Sequence, residues 1–298
     1  MKTISLTENQ FKRLTPFRLS KDIRSTEGSF FYLDKGNWDY VREELLFKKL
    51  YINSDTVMAN KLFTISMLNS NDVFASLEEF VIPKYLVSID GIIQGFALSE
   101  KKNVSNLGVI LSSKEISLQQ KLFLLEKVGL LLCKVHNLQK NNISFSFGDL
   151  HPYNFLVDQF QNLFVVDLDS SYFGTGLPLS SYYLSTNRHI DKIASKYHFS
   201  EDGMSFPDYN SDLFCYNMMI LNTIAGENMN RLSLEDYYEY ISYLDSLCFS
   251  DKLLQSFHNV YTASTNVNPV SFLKQIPMDR VYEAGYKVFQ KKKECGII

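Results

Sequence analysis

Cysteine is scarce in this sequence, with four residues in 298 (Cys133, Cys215, Cys248 and Cys295), all far apart. None forms a C-x-x-C pair or a zinc spacing. A disulfide framework is not expected at this size, so a reducing, cytoplasmic setting is the natural reading. Charge of one sign is also lacking: 30 Lys and Arg stand against 33 Asp and Glu, a net charge of −3. That balance argues against broad nucleic-acid binding by phosphate neutralisation. No apolar run is long enough to span a bilayer. The most apolar, Leu122 to Leu132, is interrupted by Glu126 and Lys127 and reads as a buried helix. The start, Met1-Lys2-Thr3-Ile4-Ser5, has no apolar segment behind it, which predicts no secretory leader. No internal repeat is apparent. What the sequence does have is a globular composition, 45% hydrophobic, 14% aromatic and 21% charged, which excludes bulk disorder. At about 150 residues per domain the length implies roughly two domains, or one with two lobes.

Residues 1–19 are polar and read as an N-terminal extension. From there to Glu100 the pattern is strand-like. Phe30-Phe31-Tyr32-Leu33 and Leu45 to Tyr51 are short apolar runs between turn residues. Ser54 or Asp55 is placed to cap a helix through about Leu68, with Val57, Leu62, Ile65 and Leu68 as its buried stripe. Two apolar runs flank Asp90-Gly91, the strongest short-range hairpin signal. Beyond a polar linker at 101–105 the chain turns helical. Ser117 caps a long helix carrying Leu118, Leu122, Leu125, Val128, Leu132 and Val135. A β-rich patch spans 144–168. A helix starting near Ser211-Asp212 is apolar almost all round and stops at Gly226, the mark of a buried element. A further helix from Ser233, with Asp236 as a capping-box partner, turns Leu234, Tyr238, Ile241 and Leu244 inward. The order is a small β-rich lobe, a linker, and a larger helical lobe.

One segment carries chemistry: Gly148-Asp149-Leu150-His151-Pro152-Tyr153-Asn154-Phe155-Leu156-Val157, followed by Leu163-Phe164-Val165-Val166-Asp167-Leu168-Asp169. Pro152 fixes its own backbone and biases His151 away from helix, so Asp149 and Asn154 sit on a stiff loop. Phe155–Val157 and Phe164–Val166 read as a hairpin that returns Asp167 toward Asp149. Two carboxylates and an amide then face one cleft. Oxygen ligands of this sort suit Mg²⁺, which keeps waters and takes one or two carboxylates plus substrate phosphates. The remaining carboxylate can accept a proton from an attacking hydroxyl, and phosphoryl transfer needs little more than positioning and charge neutralisation. The plain alternative for Asp149 and Asn154 is a turn aspartate and a capping asparagine.

On these residues the sequence resembles the protein-kinase-like superfamily. The loop is similar to the kinase pattern H-R-D-x-x-x-x-N, and Gly-Asp-Leu-His-Pro resembles the wording of its aminoglycoside- and choline-phosphotransferase branches. The resemblance implies an α+β, two-lobed protein-kinase-like fold: a small β-rich N-lobe over residues 20–100 and a larger helical C-lobe over 101–298. It implies ATP and Mg²⁺ as cofactors. Asp149 takes the part of the catalytic-loop aspartate, and Asn154 and Asp167 those of the metal ligands. Lys48 is the lysine that holds the nucleotide phosphates, with Lys49 as the alternative because one slip in register swaps the face. Ser25 to Phe30 lies where the phosphate loop belongs, with Gly28 either its glycine or a turn glycine. Leu98 and Ser99 lie where the adenine hinge belongs, and Leu156 beneath the adenine. Asp212 resembles the helix aspartate that binds the catalytic-loop backbone.

Four features depart from the family pattern. Only Gly28 stands where kinases have three glycines. No Glu occurs between Asp55 and Leu68 to partner the phosphate lysine, and Asn60 or Lys61 occupies that place. Phe147-Gly148 replaces His-Arg, and Asp167-Leu168-Asp169 replaces D-F-G. Asp169 is either functional or a solvated loop acid. His151 reads as structural or substrate-side rather than as a metal ligand.

The leading expectation is a Ser/Thr protein kinase, with autophosphorylation in the Ser/Tyr-rich segment 170–186. A small-molecule phosphotransferase and a nucleotide-binding pseudokinase acting as an interaction module are the alternatives. Expected partners are ATP and a hydroxyl acceptor, with neither nucleic acid nor a transmembrane segment. The C-terminal Cys295-Gly296-Ile297-Ile298 after three lysines loosely fits a prenylation box, with a chance terminal cysteine the favoured reading.

Overall fold

The strand-like runs before Glu100 pair into one sheet in the computed structural model, which describes residues 1–18, 27–33, 43–51, 54–138, 143–174, 208–226, 228–229, 234–262 and 268–281. The strands are β1 (Lys2–Leu6), β2 (Pro16–Phe17), β3 (Gly28–Leu33), β4 (Leu45–Leu50), β5 (Tyr85–Ile89) and β6 (Ile92–Ser99), in the order β1-β5-β6-β4-β3-β2. β1 runs parallel to β5, and the other pairs are antiparallel. The Asp90-Gly91 turn between β5 and β6 has positive φ at both residues, 49° and 84°, the two-residue turn whose twist matches the strands.

The N-terminal residues read as an extension belong to this sheet. Ile4 and Leu6 alternate with polar residues along β1 and join a core of Leu33, Leu45, Phe47, Val87, Ile89 and Ala97. Burying each side chain of that size stabilises by about 1.5–3 kcal/mol. The short helix α1 (Glu8–Phe11) follows, closed by a capping box between Thr7 and Gln10.

Gly95 on β6 faces Val87 on one side and Lys49 on the other, beside a bulge at Val87/Ser88. A Cβ there would stand 2.0 Å from the Lys48 carbonyl oxygen. Gly95→Ala is therefore expected to force β4 and β6 apart and to lower stability by roughly 1–3 kcal/mol, read from the urea midpoint. A wild-type midpoint would contradict this close approach.

Helix α2 (Asp55–Ser70) buries Lys61, Thr64, Ile65 and Leu68. Val57 and Leu62, expected on the buried stripe, are only half-buried. The buried face is turned because Lys61 lies one turn before Ile65 on the same side and finds acidic partners there. After α3 (Asp72–Ala75), Val81 N–H donates to Val165 O at 2.9 Å and Val165 N–H donates to Glu79 O at 2.7 Å. These bonds fasten the hairpin of β8 (Phe155–Asp158) and β9 (Leu163–Val165), which forms a three-stranded sheet with β7 (Val104–Asn106).

The chain divides into two compact units, Met1–Ser105 with Phe155–Asp169, and Asn106–Asn154 with Ser170–Ile298. The boundary thus differs from a single cut at residue 100: the β8–β9 hairpin returns to the first unit through the backbone bonds just described. The second unit is mainly helical, so the chain is mixed α+β. It contains α4 (Leu107–Ser112), α5 (Leu118–His136), α6 (Tyr209–Ala225), α7 (Leu234–Ser246), α8 (Asp251–Thr262) and a 3₁₀ run over Pro269–Gln275.

Ser117 caps α5 in a box with Gln120. α6 begins earlier than Ser211: Asp208 is its N-cap, paired reciprocally with Ser211, and its C-terminus closes on Gly226 with φ 66°. α6 is buried almost all round, and Tyr216 Oη donates to Leu125 O on α5 at 2.8 Å. On α7 the residues turned inward are Tyr237, Tyr240, Ile241 and Leu244, with Tyr238 half-buried. Ser233 and the C-terminal residues from 282, including Cys295, lie outside the described residues. Among the described residues no helix is long and apolar enough to cross a membrane.

Candidate functional site

β4 settles which lysine faces inward. Lys48, 3% exposed, extends from the sheet toward Asp167 and Asp169. Lys49 faces the other way, its Nζ 5.2 Å from the centre of the Phe11 ring. Strand alternation produces this opposition. Lys48 Nζ donates to the Asp167 carboxylate, and to Asp169 Oδ1 and Oδ2 at 3.0 and 3.2 Å. Glu27 Oε2 lies 3.6 Å away. Lys61 Nζ, from α2, donates to Asp169 Oδ2 at 2.8 Å and to Glu27 Oε2 at 3.0 Å.

Three carboxylates and two ammonium groups therefore share one site within the first unit. Burial opposes the charge of Lys48, but Asp167, Asp169 and Glu27 outweigh it and hold its pKa above the usual lysine range. Lys61 is raised in the same way, chiefly by Asp169 against burial and the repulsion of Lys48. Asp169 is 2% exposed. Burial works against its charge as well, yet the two lysines hold it well below the usual carboxylate range. Burial raises Asp167, and the charge of Asp169 adds to that rise against the pull of Lys48. Asp167 also adopts φ 64°, a left-handed conformation that aspartate tolerates better than most residues and that gathers at functional sites.

Carboxylate oxygens of Glu27, Asp167 and Asp169 lie within 4.8 Å of one another. Asp169 is committed to two lysines, whereas Asp167 keeps 30% of its side chain exposed. Asp167 is itself paired with Lys48, and Glu27 is the most exposed of the three at 44%; together the three carboxylates could hold a metal ion.

The catalytic-loop candidates belong to the second unit. Asp212 on α6, buried to 1%, accepts the Phe147 N–H at 3.1 Å and the Ser146 hydroxyl at 3.0 Å, and His136 Nε2 lies 3.2 Å from it. Burial raises its carboxyl, against these bonds. One buried acid thereby fixes the backbone two residues before Asp149. Asn154, on a single 3₁₀ turn with Pro152, donates from Nδ2 to the Asp149 carbonyl at 2.9 Å. His151 Nδ1 accepts the Tyr153 N–H at 3.2 Å, and its Nε2 lies 3.3 Å from Asp149 Oδ2.

The other expected site residues are less gathered. Gly28 is the first residue of β3, paired with Leu50, not a loop residue. A Cβ on it would stand 2.5 Å from the Lys49 carbonyl oxygen, so close approach of two strands accounts for this glycine. Leu98 and Ser99 end β6 half-buried, and the Ser99 hydroxyl donates to Glu43 at 2.7 Å. Leu156 is half-buried on β8 opposite Phe164. Ser170 and Ser171 are buried, which removes them as open phosphorylation sites, and residues 175–186 lie outside the described residues.

Sequence reasoning missed Glu27 altogether and left Asp169 and Lys61 without assigned partners. The signals for the last two were their spacings, two residues after Asp167 and one turn before Ile65. Asp169 is not the solvated acid that was one of its two readings. No protein-family model and no curated protein matches the chain.

Proposed function

We propose that the chain is an ATP-dependent phosphotransferase of the protein-kinase-like superfamily, acting on Ser or Thr hydroxyls of a protein. The observation that carries this reading is the ion pair of Lys48 with Asp167, 119 residues apart in sequence. The one family resemblance gives Lys48 the part of the nucleotide lysine and Asp167 that of the metal aspartate. The bond from the Phe147 N–H to Asp212 is further support, since it matches the family's brace for the catalytic loop.

In this reading Lys48 neutralises charge on the nucleotide phosphates. Asp149 accepts the proton of the attacking hydroxyl, with His151 Nε2 3.3 Å from its carboxylate. Asp167 would hold Mg²⁺ in the first unit, and the resemblance gives Asn154 of the second unit a metal ligand's part; the ion would supply charge neutralisation at the phosphates. Because Asn154 Nδ2 is committed to the Asp149 carbonyl, Oδ1 is its ligand atom. Helix α2 offers Lys61 rather than a glutamate, so the acids that anchor Lys48 come from Asp169, Asp167 and Glu27.

A second reading, phosphorylation of a small hydroxyl compound, draws on the Gly-Asp-Leu-His-Pro wording and the His151–Asp149 contact. Incubation with γ-labelled ATP distinguishes the two. Label on the protein itself or on Ser/Thr-containing proteins is the expected outcome. Label only on amino sugars or amino alcohols transfers the assignment to the second reading. ATP binding without transfer to any acceptor identifies a nucleotide-binding module and overturns both.

A further inference from the structure

Asp169 gathers charges from separate stretches of the chain. Its carboxylate takes Lys48 of β4 at 3.0 and 3.2 Å, and Lys61 of α2 at 2.8 Å. All three side chains are 3% exposed. Two ammonium groups this close repel each other, and in so dry a place the repulsion is weakly screened. The shared carboxylate is what makes their approach stable, because a buried charge needs a paired and hydrogen-bonded partner. Glu27 and Asp167 are the more exposed acids and complete the ring without bridging both lysines as tightly.

Helix α2 thus presents a cation toward Lys48, and the chain just after β9 presents the acid. We infer that Asp169 is a positioning residue for Lys48 and that Lys61 is its counter-cation, an inverted ion pair linking α2, β4 and the turn at Leu168–Ser170. The inference rests on the phosphotransferase reading, in which Lys48 meets the nucleotide phosphates. Withdrawing Asp169 frees Lys48, whereas withdrawing Lys61 leaves Lys48 held by Asp169.

An acyl-phosphate derivative of ATP tests this, because it acylates an amine lying beside the bound polyphosphate and releases ATP as the amide forms. The labelled lysine is identified by mass spectrometry, at a temperature where melting curves show each variant folded. Wild-type protein is expected to carry the label on Lys48, with excess ATP competing it away. Relative to its labelling by acetyl phosphate, which corrects for the freer amine that loss of the carboxylate leaves, Asp169→Asn lowers Lys48 labelling roughly tenfold, the size of one lost charge-assisted hydrogen bond. Lys61→Met retains the label on Lys48, because Asp169 still holds it. In the same melting curves Lys61→Met lowers the midpoint of the wild type but raises that of Asp169→Asn, as coupled partners do.

Unchanged Lys48 labelling in Asp169→Asn, on that relative scale, overturns the inference, as do additive midpoint shifts. Should Asp169→Asn not fold, Lys61→Met/Asp169→Asn carries the labelling arm with the same expected loss, since it lacks the second ammonium. Wild-type protein that takes no ATP-competed label overturns the phosphotransferase reading and this inference with it. A labelled wild type with an equally labelled Asp169→Asn overturns the inference alone.

Discussion

Asp149→Asn is expected to lower phosphoryl transfer by about 10²–10⁴-fold, the range for removing a general base, while Mg·ATP binding stays near that of the wild type. Asparagine keeps the shape of aspartate and loses its proton-accepting charge. The backbone around position 149 is held by bonds the substitution does not touch: Asp212 grips the Phe147 N–H, and Asn154 binds the carbonyl of residue 149. The loop keeps its form and the effect falls on turnover. A Kd for ATP that rises in step with the loss of rate would mean that residue 149 acts in binding, and the assigned role would be wrong.

Asp169→Asn is expected to cost the fold about 3–5 kcal/mol, the usual penalty for removing one partner of a buried ion pair. The size follows from what remains: two ammonium groups, each 3% exposed, with only the half-exposed Glu27 and Asp167 nearby. Lys61→Met costs less, since its hydrocarbon stem is kept in large part and Asp169 retains Lys48. The double variant Lys61→Met/Asp169→Asn recovers part of the loss, because an apolar replacement of a buried pair is tolerated better than a broken one. Urea midpoints measured for the four proteins check this. A double variant less stable than Asp169→Asn would show that Lys61 owes its burial to something other than Asp169.

These expectations depend on how the sequence encodes the site. Where local pattern decides structure, the reading and the fold coincide. Asp90-Gly91 makes its hairpin, Ser117 caps α5, and the helix near Ser211 is buried on nearly every side. The start of that helix lies further back at Asp208, since Ser211 serves as the reciprocal partner of the cap rather than as the cap itself. Where a segment takes its structure from distant partners, the local pattern is silent. β1 has only Ile4 and Leu6 on its inward side, too few for alternation to stand out, and it becomes a strand because β5 offers an edge. α8 went unread although Leu253, Leu254 and Phe257 recur at helical spacing and are all buried; its signal was present in the local pattern.

The site divides along the same line. Lys48 and Asp167 could be picked out because each lies in a recognisable local frame, and the structure brings them into contact. Lys61 could not be given a partner, because hydrophobic periodicity counts a lysine as solvent-facing and cannot register one that is buried by charge. Gly28 reads as a phosphate-loop or a turn glycine, and neither reading is a strand glycine, because all three look alike in sequence. The distance to the Lys49 carbonyl shows the third case, a glycine required by the approach of β4.

Calorimetric titration of the full chain with ATP, with and without Mg²⁺ and beside Lys48→Met, tests the central claim most directly. The account predicts binding by wild-type protein that tightens with Mg²⁺, and binding at least tenfold weaker once the Lys48 ammonium is gone, as expected for one lost charge-assisted contact. Binding that ignores both Mg²⁺ and the Lys48 substitution, or no binding at all, would contradict it.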